Sequence, residues 1–172
     1  MKTRHLLRRF FDGIRDSLRE YLGPDGERRL LEILSEEYVE KSENVMKLRD
    51  YAARMTYPQF RDNLLRIADE EQGYVDWLAE HITAAGGNIP RISFSPKPGK
   101  NDWERLLIAL EKKKRQVSDR IDRLVQLQRV HPEIGEELRR MRQEEEIHRR
   151  EIQAMAMRSD PQAGWDSKNY PS

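Results

Sequence analysis

Near the end of the chain, a glutamate and a histidine stand three residues apart inside a helical pattern of apolar residues. Glu145 and His148 lie between Met141 and Ile152, which continue that pattern on either side. This spacing places both side chains on one face of a helix, so we expect both to point toward a core. A carboxylate in an apolar core is costly unless it is paired or binds a metal. The pair therefore indicates either metal ligands or a buried network of charges.

An earlier segment repeats the same pattern. Similar residues stand at offsets of 2, 6, 9, 13, 16 and 20 from Pro58 and from Pro132. The first set is Phe60, Leu64, Ile67, Glu71, Tyr74 and Leu78, and the second is Ile134, Leu138, Met141, Glu145, His148 and Ile152. The sets agree in type or role except where Tyr74 replaces a histidine. Such a repeat predicts two helical hairpins in tandem, which is one way to build a four-helix bundle.

The elements that must position these residues are helices. Apolar residues recur every three or four positions, the α-helical period, and only residues 92–95 hint at an extended piece. The fold class is therefore all-α: a four-helix bundle of two tandem hairpins, preceded by an extra amphipathic helix. The predicted helices cover about residues 3–22, 26–55, 58–85, 101–130 and 132–157.

Glycine and proline divide the chain further. A segment of about 15 residues from Gly86 to Asn101 is rich in both residue types, and it is long enough to run the length of a bundle. The residues after Arg158 have no helical period, so we expect a flexible tail. The predicted organisation is an N-terminal helix and hinge over 1–25, a bundle over 26–157 and the tail over 158–172.

Over about residues 30–157 the sequence resembles the rubrerythrin and ferritin-like superfamily. The resemblance rests on Pro58, on the helix ending at residues 52–55, on the Gly86-Gly87-x-x-Pro90 exit, and on residues 69–78, which read DEEQGYVDWL. It implies a di-iron site in which two helices each supply Glu-x-x-His and two others supply one Glu apiece. Residue by residue, the resemblance matches Glu71, Glu145 and His148 to that motif, whereas Tyr74 stands in place of the second His.

The two positions expected to hold a single Glu are basic. The gap between Tyr38 and Val45 holds Lys41, and the equivalent gap in the fourth predicted helix holds Lys114. Two lysines and two glutamates sum to zero charge, as do four carboxylates and two ferrous ions. We therefore hypothesise a metal-free network of Lys41, Glu71, Tyr74, Lys114, Glu145 and His148. The stripe that defines the fourth-helix gap is Trp103, Leu107, Leu110 and Val117.

Two other interpretations remain open. A metal site could persist with Glu71, Glu145 and His148 joined by Glu37 and Glu111, each of which stands 34 residues before its partner glutamate. These two glutamates are, however, one step off the stripe and one turn too far from the hairpin tip. Alternatively, Glu71 and His148 lie solvated at the edge of the stripe.

Composition limits the function. The 32 Lys and Arg balance 31 Asp and Glu, so net charge does not point to nucleic acid, and the absence of cysteine excludes thiolate chemistry. No apolar run approaches the ~20 residues that a membrane span needs. We therefore expect a cytoplasmic protein. Because Lys41, Lys114 and Tyr74 stand where metal ligands are expected, we also expect a non-catalytic interaction or assembly protein without a cofactor. The alternative is an iron-binding oxidoreductase of rubrerythrin or ferritin type.

The N-terminal helix is the clearest candidate for a binding element. Its apolar face is wide and aromatic, and its other face is basic. We expect a protein partner, or a second copy, to bind through the bundle faces or through residues 3–22. Alternatively, residues 2–22 lie on an anionic membrane surface, which would make the protein peripheral to a membrane.

Overall fold

The computed structural model describes residues 26–95, 99–114 and 131–160, with the side chains of Glu27 and of residues 111–114 excepted. These residues form helices and contain no strand, which confirms the all-α class. The predicted helix at 3–22, residues 115–130 of the fourth predicted helix, and the tail beyond residue 160 lie outside the described residues. The helices are α1 (Gly26–Ala53), α2 (Pro58–Ala84), α3 (Asp102–Lys114) and α4 (Pro132–Ser159).

The helix ends follow from local sequence chemistry. Pro58 and Pro132 occupy the first helical positions of α2 and α4, where the missing N–H of proline would have no helical partner anyway. Helix α2 ends at Ala84, and Gly86 just beyond it has a φ of 81°, in the left-handed region. The Gly87 amide then donates to the Ile82 carbonyl at 2.9 Å, a closing bond that glycine at this position permits.

The helices pack as two hairpins, α1 with α2 and α3 with α4, joined by contacts of α2 with α4 and of α1 with α3. The connection between the hairpins runs from one end of the bundle to the other. Gly87 lies against Leu31 near the start of α1, whereas the Asp102 carboxylate accepts a 2.9 Å hydrogen bond from the Thr56 amide at the far turn. Since α2 alone is about 40 Å long, a short turn could not make this connection. None of the described helices is both long and apolar enough to cross a membrane.

Two apolar clusters fill the bundle. The first core cluster, near the start of α1, draws on α1, α2 and α4, and the second, near the α1–α2 turn, also includes α3. The first contains Leu30, Leu34, Tyr74, Leu78, Ile82, Ile134, Leu138 and Met141. The second contains Leu48, Tyr51, Ala52, Phe60, Leu64, Ile67, Ala68, Leu106, Ala109, Ile152, Met155 and Ala156. The residues at hairpin offsets 13 and 16 lie where the two clusters meet.

The predicted stripe of α3 is wrong by one residue. Leu106 and Ala109 are buried in the second core cluster, whereas Trp103, Leu107 and Leu110 are only partly buried. The reason is that residues 106–110 are all apolar, so that several rotations of the helix satisfy the pattern. The placement of Lys114 depended on that stripe.

Candidate functional site

A layer of polar side chains separates the two core clusters. We call the set Lys41, Asn44, Glu71, Tyr74, Glu145 and His148 the polar layer. Helices α1, α2 and α4 each contribute two of its members, and the two always stand three residues apart. That spacing puts both members of each pair on the inner face of their helix. The structure therefore brings together five of the six residues predicted from the sequence, and the sixth, Lys114, has a side chain outside the described residues.

Lys41 lies at the centre of the layer. Its side chain is 2% exposed, and its ammonium donates a hydrogen bond to Oε1 of Glu145, which is 30% exposed. The ammonium also lies 5.4 Å from the centroid of the Tyr74 ring, within the range of a cation–π interaction. A buried ammonium loses its hydration, and its ion pair and aromatic contact offset that cost. The pair joins α1 to α4 across the bundle.

Glu71 is fully buried, with 0% exposure, and its carboxylate contacts polar side chains of two other helices. Its Oε2 accepts a hydrogen bond from the Asn44 amide of α1, and its Oε1 lies 3.4 Å from Nδ1 of His148 on α4. The other ring nitrogen of His148, Nε2, lies 2.8 Å from Oε2 of Glu70. His148 therefore bridges two neighbouring carboxylates of α2.

Glu70 connects the layer to solvent. Partial burial raises the pKa of Glu70, but the hydrogen bonds from Arg66 and His148 outweigh burial and hold the pKa below its ordinary value. Nη1 of Arg66 lies 2.7 Å from Oε1 of Glu70, and Nη2 of the same guanidinium pairs with Glu151 of α4. Glu70 is thus an ionised bridge between a surface arginine and the buried histidine.

Tyr74 occupies the place of the second histidine and makes a corresponding contact. Its hydroxyl donates to Oε2 of Glu144, and burial, followed by this hydrogen bond, raises the pKa of Tyr74 well above its usual range. Tyr74 and His148 share one hairpin offset, and Glu144 and Glu70 share another. The Tyr74–Glu144 and His148–Glu70 contacts are therefore related by an approximate two-fold axis between α2 and α4.

The metal-site alternative adds Glu37 and Glu111 to the inward glutamates, and of these two only Glu37 has a described side chain. Glu37 is buried one turn before Lys41, and its Oε1 lies 3.5 Å from Nη2 of Arg142. The Glu111 side chain lies outside the described residues. Within the described parts of the chain, no group of three or more His, Asp or Glu side chains is placed to hold a metal ion.

Three participants were missed from the sequence. Asn44 carries a detectable signal, because it stands three residues after Lys41 in the same inner stripe. Glu70 and Glu144 lie beside the stripe, and only their shared hairpin offset links them. A shared offset alone does not predict which side chains Glu70 and Glu144 contact, because those contacts depend on how α2 and α4 are aligned.

The polar layer does not fit the di-iron set that the resemblance implies. A two-metal site needs free carboxylates from four helices, but Glu145 holds an ammonium and Glu71 already accepts the Asn44 amide. The Tyr74 hydroxyl donates a hydrogen bond to Glu144 at the position where a histidine ligand is expected. Comparison with known proteins adds no relative: no family model, curated protein or solved structure matches the chain.

Proposed function

We propose that the chain is a non-catalytic, ferritin-like interaction or assembly protein whose bundle is held together by charge pairs where a di-iron bundle holds metal. The observation that supports this proposal best is the ion pair of the buried Lys41 ammonium with the partly buried Glu145 carboxylate. In this interpretation the ammonium supplies, inside the bundle, positive charge that metal ions would otherwise supply to the carboxylates.

Electrostatics favours lysine over metal at this level of the bundle. Two unit charges 4 Å apart interact by about 4 kcal/mol at the effective dielectric typical of proteins. A divalent cation bound beside the Lys41 ammonium would therefore be repelled by about twice that energy. The Lys41 side chain already occupies Oε1 of Glu145 through its hydrogen bond. Metal and ammonium are thus competitors for the same carboxylates.

Iron loading tests the proposal. Purified protein is incubated with ferrous iron under anaerobic conditions, desalted and analysed for metal. We expect less than about one iron per chain, and about two irons, the di-iron count, would overturn the proposal. Lys41→Glu should raise the iron content because it removes the competing cation and adds a carboxylate. Lys47→Glu makes the same charge change on the same helix, outside the polar layer, and should leave the iron content unchanged.

A second candidate function is an iron-binding oxidoreductase with a partial metal site. The observation in its favour is that Glu71 and His148 are buried and face each other. This candidate requires about one iron per chain, and that iron should be lost in Glu71→Gln. The control is Asp69→Asn, which should retain the iron, because Asp69 is an exposed neighbour whose carboxylate pairs with Arg49.

A further inference from the structure

An apolar side chain projects from the middle of the charged outer face of α4. Ile147 is 53% exposed, with Arg140 and Glu144 preceding it and Glu151 following it at helical spacings. Scattered exposed apolar residues are ordinary, but this one has a counterpart. The residue at the same hairpin offset in α2 is Gly73, which is also exposed.

Among the described residues, nothing explains the choice of glycine at position 73. A glycine within a helix is destabilising relative to alanine, and among the described glycines only Gly86 has a positive φ. A Cβ added at Gly73 would meet none of the described atoms within 4 Å. Neither backbone conformation nor internal packing therefore requires a glycine here. The position is a notch in the surface of α2.

The projecting side chain and the notch lie at nearly the same height on adjacent helices. The contacts of Glu70 with His148 and of Tyr74 with Glu144 fix the alignment of α2 against α4, which run in opposite directions. Gly73 and Ile147 fall between these two contacts, on the outward side of each helix. The outer α2–α4 surface thus carries a knob beside a hole.

We infer that a second copy of this chain docks on the outer α2–α4 surface, with Ile147 of each copy seated over Gly73 of the other. A two-fold axis parallel to the helices brings α2 of one copy against α4 of the other, and the knob and hole are then used twice. Such self-complementarity is what a two-fold interface requires. This inference deepens the proposed function, because it names a second copy as the partner.

Charge complementarity supports the same arrangement. Arg66 and Glu151 lie at one height, since they pair with each other across the α2–α4 seam. The proposed axis therefore brings Arg66 of each copy to the height of Glu151 of the other. Opposite charges of the two copies then meet next to the central apolar contact, toward the end of the surface where α2 begins, which suits a polar rim beside a small apolar centre.

Sedimentation equilibrium of the full chain, over about 1 µM to 1 mM, tests the inference. We expect a dimer whose dissociation constant rises about tenfold or more in Ile147→Glu. Met157→Glu, at another exposed position of α4 (69% exposed), is the matched control and should dimerise like the wild type. Gly73→Ala should raise the melting temperature, since alanine favours helix, and should at the same time weaken the dimer. A glycine that matters only for the fold of its own chain would not change stability and dimer affinity in opposite directions.

A swap of knob and hole provides the rescue. Gly73→Leu and Ile147→Ala should each weaken the dimer, and the double variant should dimerise again because the pairing is restored. A wild-type chain that stays monomeric, a dimer unaffected by Ile147→Glu, or one disrupted only by Phe10→Glu in the N-terminal segment overturns the inference. Iron content is measured on the same samples, so that an iron-free monomer refutes this surface alone, whereas two irons per chain refutes the proposed function.

Discussion

Lys41→Met removes the ammonium from the polar layer while keeping a flexible apolar side chain of similar length. Glu145 then loses its partner, and the Tyr74 ring loses the cation above it. Breaking a buried ion pair by removal of one partner costs about 3–5 kcal/mol. Because Glu145 is 30% exposed and water can reach it, we expect the lower end, about 3 kcal/mol.

Urea denaturation followed by circular dichroism measures this loss directly. For a chain of this size a loss of about 3 kcal/mol corresponds to a fall in melting temperature of about 6–12 °C. The double variant Lys41→Met/Glu145→Gln should recover part of the loss, since it removes the unpaired carboxylate as well. Lys47→Met is the control for loss of a buried lysine from the same helix. Wild-type stability in Lys41→Met, or strict additivity with Glu145→Gln, would refute the ion pair as the central contact.

Three further predictions follow from single contacts. Asp102→Ala removes the carboxylate that ties the start of α3 to the Thr56 amide, and it should cost about 1–3 kcal/mol in urea denaturation; Asp62→Ala, an exposed aspartate, should cost far less. Tyr74→Phe should cost about 1 kcal/mol because the ring remains beside Lys41 and only the hydroxyl is lost, so an effect as large as that of Lys41→Met would contradict the assignment. The pKa of Glu70 is lowered from 4.5 in the folded state, so its stabilising effect is present above that pH and is lost as the pH falls through the folded pKa. Acid titration of Glu70→Gln should accordingly show a smaller loss of stability below pH 4.5 than the wild type, by less than about 1 kcal/mol since the group is partly exposed.

The sequence predicts the hairpins well because their signals are independent and local. Prolines mark the starts of α2 and α4, and the matching offsets place the core residues of both helices. The described part of α3 shows where this reasoning stops. Five consecutive apolar residues fit several helix rotations, and only the packing against neighbouring helices selects Leu106 and Ala109.

The sequence predicts which residues of the candidate site lie in the interior better than it predicts which of them contact each other. Periodicity is enough to place Lys41 and Glu71, which are buried, and Glu145, which is 30% exposed and pairs with Lys41, in the polar layer. It cannot say which cation serves which carboxylate, because that depends on helix alignment across the bundle. Glu71, for example, accepts a hydrogen bond from Asn44, a neutral residue that the periodicity does not assign to it.

The connection between the hairpins has a further consequence. Residues 88–95 lie outside every helix, and each position there is at least partly exposed. A protease that cuts this segment leaves two separate peptides, each a complete helical hairpin in the described order of elements. The contacts that join α1 or α2 to α4, such as those of Lys41 with Glu145 and of Glu70 with His148, then act between molecules instead of within one. Their strength becomes a dissociation constant, which can be read by mixing the two halves.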